Sequence, residues 1–363
     1  MSTQTPQKAL LVNASRVPPI GGLHAFTAAV LRCMAAKYGA GTAAIVGWGT
    51  ELPEGITRLE APETIPAAIP SSWPRSLRGF YHSALQSRRY RDRKVLATTH
   101  LGFPWHQHQV LTVHDVRPRL MPESWVQTVY FRWVLPHVLR RANGVLTVSQ
   151  TSKAAIVKNY GIRPERIYVV PNVVRTVPAA SIPAMVREEA PYLLMVNAAF
   201  RHKNAHELLE QHALWSPRYR LKIVAGPGSY RDELQAEVQR LGLSSSVDFL
   251  SQVSEEELAS LYIHAAALVY PSLMEGFGLP PAEAMAYGTP VIVSDIPVFR
   301  EVFGDAPLFV RLGDATSWKQ ALDGIDEARR PERVEHALQV ATQYTDERMC
   351  AALTSALQAI WPN

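Results

Sequence analysis

The feature that most constrains the fold of this chain is a repeated alternation of short apolar segments with longer helix-like ones. The apolar runs are three to five residues long, and most are followed by a stretch with the composition of a helix. Such runs are typical of strands that are buried on both faces, and their alternation with helices indicates parallel sheets. The first series of predicted strands covers 9–13, 43–46, 95–98, 110–113, 144–148 and 167–170, and the second covers 192–196, 221–225, 247–250, 267–270, 291–294 and 308–310.

Long amphipathic or alanine-rich stretches between these runs are predicted as helices. A region with five prolines, 51–77, interrupts the first series and is predicted as a long loop. The predicted helices cover 25–36, about 125–141, 151–160, 205–213, 230–241, 255–264, 281–287, 314–328 and 331–361.

The two series predict two domains, which also suits a length of 363 residues. We expect an α/β fold of two Rossmann-like domains that face each other across a cleft. Ligands bind at the carboxyl ends of the strands in such sheets, so the two facing domains would share this cleft as a binding site. The predicted divisions are an N-terminal domain over 1–172, a proline-containing linker over 173–190, a C-terminal domain over 191–340, and a last helix over 341–363 that crosses back to the first domain.

Charge is divided unevenly along the chain. Residues 1–175 hold 22 Lys and Arg against 8 Asp and Glu, whereas 176–363 hold 15 against 24. The basic half is expected to face an anionic partner such as a membrane surface, an acidic substrate or nucleic acid.

Several protein classes are excluded by what the sequence lacks. Cys33 and Cys350 are too few for a disulfide framework and fit no zinc spacing, which favours a reduced compartment. Neither a signal peptide nor an apolar run long enough to cross a membrane is present. The chain also lacks a P-loop, an Asp-x-Asp metal motif and the third glycine of a dinucleotide fingerprint.

The densest group of chemically informative residues follows the predicted strand 267–270. A loop with Gly276 and Gly278 leads into a helix, and the carboxylates Glu275 and Glu283 flank the helix start. Glycine lets a backbone approach a ligand closely, and amide groups at a helix N-terminus bind phosphate oxygens. The segment predicts a phosphate-binding cradle flanked by two carboxylates.

Two cations, Arg201 and Lys203, follow the predicted strand 192–196. Cations at the carboxyl end of a strand suit a diphosphate, because they can neutralise charge that grows on a leaving group. Solvated surface cations are the other interpretation, which the neighbouring glutamate motif weakens.

The segment from Glu275 to Glu283, EGFGLPPAE, continues as AMA and is followed by GTPVI. It resembles the signature of glycosyltransferase family 4, whose members are retaining sugar-nucleotide transferases of the GT-B fold. The resemblance is dense from about 110 to 310 and thin from 40 to 100. Further segments that resemble the family, in the same order along the chain, are 21–22, 113–115, 142–149, 169–172, 201–204, 224–226 and 247–250.

The resemblance implies roles for single residues. It places Lys203 and Arg201 on the donor diphosphate, although this chain has His202 where the family often has arginine. It places Glu283 on the nucleotide ribose and Glu275 beside the transferred sugar. The implied catalytic residues are His114, Glu275, Arg201 and Lys203, and the implied donor-binding residues are Gly21, Gly22, Gly226, Gly276, Phe277, Gly278, Leu279, Glu283 and Val253, with no metal and no cofactor.

The donor and acceptor follow from a finer resemblance. The pattern HDVxPxxxPE from His114 to Glu123, with Lys203 followed by Asn204, resembles bacterial mannosyl- and rhamnosyltransferases of surface polysaccharide and lipopolysaccharide assembly. It favours GDP-mannose or a GDP-6-deoxyhexose as donor and a saccharide on polyprenyl diphosphate as acceptor. A UDP-sugar donor stays open. So do a catalytically silent membrane-associated scaffold and a phosphorylase or epimerase of this fold.

A basic and aromatic segment, 73–95, predicts contact with an anionic membrane. We therefore expect a cytoplasmic protein, peripheral on the inner face of the cytoplasmic membrane, that binds no nucleic acid. The basic and aromatic residues of the segment 73–95 are Trp73, Arg75, Arg78, Phe80, Tyr81, Arg88, Arg89, Tyr90, Arg91, Arg93 and Lys94, and Asp92 is its single carboxylate.

Overall fold

Two compact units make up the chain in this computed structural model. The residues described are 10–15, 17, 21–46, 51–59, 85–183 and 190–362. One unit comprises Met1–Val173 with Asp346–Asn363, and the other comprises Val174–Thr345. The second unit is thus one uninterrupted stretch of chain, whereas the first is completed by the last helix. The segment expected to be a linker, 173–190, falls almost wholly in the second unit, where the Val174 amide donates to the Tyr344 carbonyl over 2.9 Å.

The first unit is built on a sheet of seven parallel strands. The strands are β1 Leu10–Ala14, β2 Thr42–Val46, β3 Thr57–Leu59, β4 Val95–Ala97, β5 Gln109–Thr112, β6 Gly144–Thr147 and β7 Ile167–Val169. Their order is β3-β2-β1-β4-β5-β6-β7, so the chain adds strands on one side of β1 and then crosses to its other side. All strands except β3 and β7 are almost completely buried, as expected for strands covered on both faces.

Sequence reasoning located the first series of strands to within one residue but missed β3. This three-residue strand is mostly exposed and lies inside the region 51–77 that was predicted as a loop. It pairs with β2 along the edge of the sheet, Ala44 opposite Arg58. Most of that region, 60–77, lies outside the described residues.

Helices flank this sheet, and the longer ones bury part of their surface. Their bounds are Gly22–Tyr38, Arg117–Leu120, Trp125–Val129, Leu135–Arg141, Gln150–Tyr160 and Asp346–Ile360, and residues 85–89 are also helical. The predicted helix 125–141 is a continuous helical run that widens into a π turn at Tyr130–Val134. Pro136 follows that turn, and because proline lacks an amide and crowds the preceding turn, the wider turn accommodates it.

The last helix, Asp346–Ile360, belongs to the first unit and packs on the helix Gly22–Tyr38. Asp346 accepts a 2.8 Å hydrogen bond from Arg32, and Cys350 forms a disulfide with Cys33. The expectation that these cysteines would be reduced is therefore corrected. Cysteines that are 317 positions apart carry no sequence signal of pairing.

The second unit has a sheet of six parallel strands with the same arrangement. The strands are β8 Tyr192–Val196, β9 Arg220–Val224, β10 Val247–Leu250, β11 Ala267–Tyr270, β12 Val291–Ser294 and β13 Leu308–Val310. Their order is β10-β9-β8-β11-β12-β13, and the predicted strands agree to within one residue. This is the order of a doubly wound nucleotide-binding sheet.

Several predicted helices of the second unit are divided in the structure. The predicted helix 205–213 breaks at Gln211, 314–328 breaks at Gly324, and 331–361 breaks after Ala341. The observed bounds are Ala205–Glu210, His212–Trp215, Ser229–Arg240, Glu255–His264, Leu279–Ala286, Pro297–Phe303, Ala315–Asp323, Ile325–Ala328 and Pro331–Ala341. Trp215 and Trp318 are fully buried in the core beneath them. Within the described ranges, no helix is long and apolar enough to span a bilayer.

Candidate functional site

The strand order of the second unit marks a position beside β8 and β11. These strands are neighbours, and the direction in which the sheet grows reverses between them. Loops that leave two such strands diverge, and ligands bind in the crevice outside the carboxyl ends of the strands. The loop 197–204 follows β8 and the loop 271–278 follows β11. The Leu273 amide donates to the His202 carbonyl over 2.8 Å and so ties the two loops together.

Lys203 is a buried cation in this position. It ends a short 3-10 turn, and Asn204 then takes a left-handed conformation with φ of 57° as the next helix begins. The Lys203 Nζ lies 2.6 Å from Glu275 Oε1, and the two side chains are only 6% and 11% exposed. The same Nζ donates to the Tyr270 hydroxyl and lies 4.7 Å from the centre of that ring. The structure therefore brings together Lys203 and Glu275, two of the predicted residues, with Tyr270 between the strand and the loop.

Because Lys203 and Glu275 are buried, each charge depends on the other for its stabilisation. Removing one member of a buried ion pair leaves an uncompensated charge, which is strongly destabilising. Burial, and then the charge of Glu275, raise the pKa of Tyr270 well above its usual value, so the phenol keeps its proton. A lysine held in this way is ready to contact an anionic group, and the second carboxylate oxygen of Glu275 can accept a hydrogen bond from a hydroxyl.

The loop after Glu275 is shaped by a glycine requirement. Gly278 has a φ of 98° at the start of the helix Leu279–Ala286, and a Cβ there would lie 2.6 Å from the Phe299 ring. Phe277 is buried, with its ring centre 4.9 Å from that of Tyr344. The following Pro280 and Pro281 have no amide hydrogen, so Leu279 supplies the only amide among the first three helix positions. The helix start thus offers fewer phosphate donors than the predicted cradle assumed.

Glu283 lies in the middle of the same helix and is largely buried. The Tyr262 hydroxyl donates to its Oε2 over 3.0 Å. Burial raises the pKa of Glu283 to about 7, the charge of Glu255 adds to the rise, and the Tyr262 hydrogen bond opposes it. Glu283 therefore changes charge near neutral pH.

Arg201 is placed differently from Lys203. Its guanidinium is 66% exposed, makes two 2.6 Å contacts with Glu233 and lies 5.3 Å from the Tyr230 ring centre. An exposed ion pair of this kind stabilises a protein little. Arg201 can therefore leave Glu233 for another anion at small cost.

Two other predicted residues lie along the same edge of the sheet. Gly226 follows β9, is exposed, and has open space where a Cβ would lie. Val253 follows β10 and directly precedes Ser254, which caps the helix Glu255–His264. The carboxyl ends of adjacent parallel strands thus gather the predicted residues of the second unit.

The predicted residues of the first unit occupy the equivalent edge of its own sheet. His114 follows β5, and its Nε2 lies 3.0 Å from the Thr98 carbonyl. A carbonyl only accepts, so Nε2 carries the proton and, in the neutral ring, Nδ1 can accept from a hydroxyl. Burial lowers the pKa of His114, which keeps the ring neutral. The ring packs edge-on against Phe26, 4.8 Å away, in the helix that Gly21 and Gly22 begin.

Gly21 and Gly22 are exposed at the start of that helix, and Gly21 has a φ of 90°. Three residues into the turn, Nδ1 of His24 is buried and has no hydrogen-bond partner among the described residues. A buried polar atom without a partner costs free energy, so it marks a place where a ligand hydrogen bond would be favourable.

Sequence reasoning missed His100, Tyr262 and Tyr270. His100 follows β4, and its burial, with nearby His114 and Arg117, lowers its pKa to about 3. Its position just after a strand at the crossing point of the sheet was a usable signal. The two tyrosines stand within apolar runs, where they are indistinguishable from core residues. No group of three or more potential ligands among the described residues is arranged to hold a metal ion.

Comparisons with known proteins agree with this arrangement. The family model "Glycosyl transferases group 1" matches residues 182–340, and "Glycosyltransferase Family 4" matches residues 45–177. The O-antigen chain mannosyltransferase RfbU of Salmonella typhimurium is 44% identical over 239 residues, which are 66% of this chain and 67% of the relative. The O-antigen chain mannosyltransferase B of Escherichia coli is 29% identical over 56% of this chain, and that match spans only 57% of the relative's length.

A solved structure shows the same fold. Anabaena Alr3699/HepE in complex with UDP-glucose superposes with a TM-score of 0.73 at 18% identity, covering 97% of this chain and 100% of that one. Two doubly wound domains of this kind define the GT-B class of glycosyltransferases, which confirms the predicted fold class. The chain belongs to glycosyltransferase family 4.

Proposed function

We propose that this protein transfers mannose or a 6-deoxyhexose from a nucleoside-diphosphate sugar, with GDP favoured, to a saccharide acceptor in surface polysaccharide assembly. The observation that carries the proposal is the buried pair of Lys203 and Glu275, 2.6 Å apart at the carboxyl ends of β8 and β11. A cation and a carboxylate in that place suit a donor that has an anionic diphosphate on one side and sugar hydroxyls on the other.

Each predicted residue of the second unit has a role in this proposal. Lys203 holds the diphosphate, and Arg201 joins it by exchanging Glu233 for a phosphate oxygen. Glu275 lies beside the transferred sugar, and Glu283 accepts hydrogen bonds from the ribose hydroxyls. The remaining donor contacts are backbone or apolar contacts from Gly226, Val253, Gly276, Phe277, Gly278 and Leu279.

The first unit contributes polar groups of another kind. His114 accepts a hydrogen bond from a hydroxyl of the donor sugar through its neutral Nδ1. The amides at Gly21 and Gly22 begin a helix of 17 residues, whose N-terminal partial positive charge favours a phosphate. His24, close to this start, is the unpredicted candidate for a further ligand contact.

We propose that the reaction retains the configuration of the anomeric carbon and requires no metal. The acceptor hydroxyl oxygen bonds to the anomeric carbon on the face from which the diphosphate departs. The leaving phosphate oxygen takes the hydroxyl proton as its bond to carbon breaks, and no protein nucleophile is assigned. Lys203 and Arg201 stabilise the negative charge that grows on the diphosphate.

The choice of donor rests on relatives. The names of the two curated relatives state that they are mannosyltransferases, which supports mannose, commonly carried by GDP. The fold neighbour holds UDP-glucose, so a UDP-sugar is the alternative donor. We propose a polyprenyl-diphosphate-linked acceptor, and hence a cytoplasmic protein that is peripheral on the inner face of the membrane. Of the basic segment 73–95 proposed to contact that membrane, the described part holds Arg88, Arg89, Arg91, Arg93 and Lys94.

A thermal-shift panel of GDP, UDP, ADP and their sugars tests the donor. A ligand at 100 times its Kd stabilises the folded state by roughly 2.7 kcal/mol. We expect GDP and GDP-mannose to raise Tm, and we expect Lys203→Met to weaken that rise relative to Lys319→Met, which alters an exposed lysine. A UDP-only response would select the alternative donor. No response to any nucleotide would favour the catalytically silent scaffold.

Stereochemistry needs a separate measurement. We expect the anomeric configuration of the product, determined by NMR, to equal that of the donor. Free sugar phosphate or an epimerised donor as product would instead identify the phosphorylase or epimerase alternatives. An inverted product would contradict the retaining reaction while leaving the donor assignment intact.

A further inference from the structure

One side of the helical run 125–141 exposes large apolar side chains. Trp125, Val129 and Trp133 are 74%, 44% and 64% exposed. They are four residues apart, and exposed His137 and Arg141 continue this spacing. Residues four apart lie on the same side of a helix, so the five side chains form a single stripe. We name these five residues the tryptophan stripe.

The helix cannot turn to bury the stripe, because its opposite side is already in the core. Phe131, Leu135 and Leu139 are between 0% and 3% exposed and pack with the strands of the first unit. Exposed tryptophans on an otherwise well-packed helix are unfavourable in water unless something covers them. The stripe is therefore a candidate contact surface.

A neighbouring loop extends this apolar surface. Trp105 is 60% exposed and has a φ of 61°, a conformation that bulky residues rarely adopt. Together with Trp133, Val134, Val138 and Arg141 it lines a cavity of about 260 Å³. Two indole rings thus flank an apolar opening at the end of the stripe.

The charged side chains of the helical run that carries the stripe are all of one sign. Arg132, Arg140 and Arg141 are exposed, and 125–141 contains neither Asp nor Glu. The guanidinium of Arg132 lies 5.9 Å from the Trp133 ring centre, so charge and aromatic surface are interleaved. Such a surface repels a second copy of itself and attracts an anionic partner.

We propose that the tryptophan stripe docks on the surface of an anionic lipid bilayer. Indole rings prefer the boundary between headgroups and acyl chains, and arginines contact lipid phosphates. Each cation near such a surface contributes to binding, and the apolar side chains add the insertion that charge alone lacks. This inference deepens the membrane association proposed for 73–95 by adding a second, apolar contact, and it does not depend on the transferase reaction.

Vesicle flotation of the full chain tests the proposal. We compare Trp125→Ala/Trp133→Ala with Tyr38→Ala/Ile263→Ala, which removes two exposed apolar side chains elsewhere. With vesicles of phosphatidylcholine and phosphatidylglycerol, we expect the stripe variant to bind about tenfold more weakly and the control to bind as the wild type does. Equal binding by the stripe variant would overturn the proposal.

Further arms separate the alternatives. Arg132→Gln/Arg140→Gln should weaken binding to the mixed vesicles but leave the weak binding to pure phosphatidylcholine unchanged. If the stripe variant instead converts a wild-type dimer into a monomer, the stripe is a contact between copies and the bilayer proposal fails. Nucleotide thermal shifts measured on the same variants should be unaltered, so a failure of the docking proposal is distinguishable from a failure of the proposed donor site.

Discussion

Among the single residues of the second unit, the buried pair of Lys203 and Glu275 is the most informative about its chemistry. The pair has a structural role beside its proposed role in donor binding, since each charge is tolerated inside the protein only because the other is present. Both residues were predicted from the sequence, because each follows a predicted strand and lies in a segment that resembles the glycosyltransferase family. Their burial, and the Tyr270 hydroxyl that joins them, could not be predicted, because these depend on how the two loops fold together.

Replacing Lys203 tests both roles of this pair. We expect Lys203→Met to lower the free energy of unfolding by about 3–5 kcal/mol, because Glu275 remains buried without its cation. In Lys203→Met/Glu275→Leu the stability should largely return, since two apolar side chains of similar volume replace the ions. Donor binding should be weaker than in the wild type in both variants, as measured by calorimetry. A double variant that binds donor as the wild type does would show that the pair is only structural.

The raised pKa of Glu283 leads to a prediction of how stability depends on pH. Its pKa is about 7 in the folded protein against an ordinary 4.5, so the folded state holds an extra proton between those values. Stability contributed by this group therefore falls as pH rises from 4.5 through 7 and is constant above. In the wild type this fall should amount to about 3 kcal/mol, and we expect Glu283→Gln to lack it. Denaturant unfolding at several pH values measures it, and parallel curves for the two proteins would contradict it.

Donor binding should depend on the same titration. A ribose hydroxyl donates best to an ionised carboxylate, so donor affinity of the wild type should rise as pH passes through 7. Glu283→Gln should bind more weakly and show a flatter profile. His114 does not interfere with this test, because its lowered pKa keeps its charge constant over that range.

At the scale of elements, the turn into the helix Leu279–Ala286 depends on one glycine. Gly278→Ala would place a Cβ in a left-handed conformation and against Phe299. We expect a loss of about 1–3 kcal/mol and weaker donor binding, because the loop that carries Glu275 must move. Gly41→Ala is the control, since open space surrounds that position and it lies outside the proposed donor site. Thermal unfolding of both variants measures this loss, and equal Tm values would show that position 278 does not require glycine.

The disulfide joins the last helix to the helix Gly22–Tyr38. A crosslink restricts the unfolded chain, so Cys33→Ser/Cys350→Ser should be less stable by about 2–4 kcal/mol. Dithiothreitol should lower the Tm of the wild type but leave that of the variant unchanged. Thiol titration of the denatured wild type should find two thiols only after reduction, and two thiols before reduction would show that the bridge is absent.

The elements differ in how far the sequence determines them. Buried strands were located well, because apolar runs of Val, Ile and Leu have few other solutions in an α/β chain. The exposed strand β3 was missed, since two of its three side chains face solvent and carry no apolar signal. The Cys33–Cys350 bridge and the Arg201–Glu233 pair were missed for a different reason. Both join side chains that are distant in sequence, and pairing of that kind is set by packing rather than by a local pattern.

For the whole molecule, the uneven division of charge along the chain can be related to the proposed roles of the two units. The acidic half of the chain contains the proposed donor site, so binding of an anionic donor there must rely on nearby groups, Lys203 and Arg201, against the sign of the overall charge. The basic half carries both proposed membrane surfaces. Attachment to a bilayer should therefore weaken steeply with added salt, whereas the buried Lys203 is little screened.

The path of the chain through the two units leads to a prediction of how each unit unfolds. Val174–Thr345 is continuous and has its own sheet and core, whereas the first unit needs Asp346–Asn363 to cover its helix Gly22–Tyr38. A stop after Thr345 removes the Arg32–Asp346 ion pair and the disulfide. It also removes the side chain of Ile360, which packs against Gly144. We expect calorimetry of this truncated protein to show one transition at a lower temperature and one little changed, and we expect GDP to shift only the second. A single lowered transition that responds to GDP as a whole would mean that the two units unfold together.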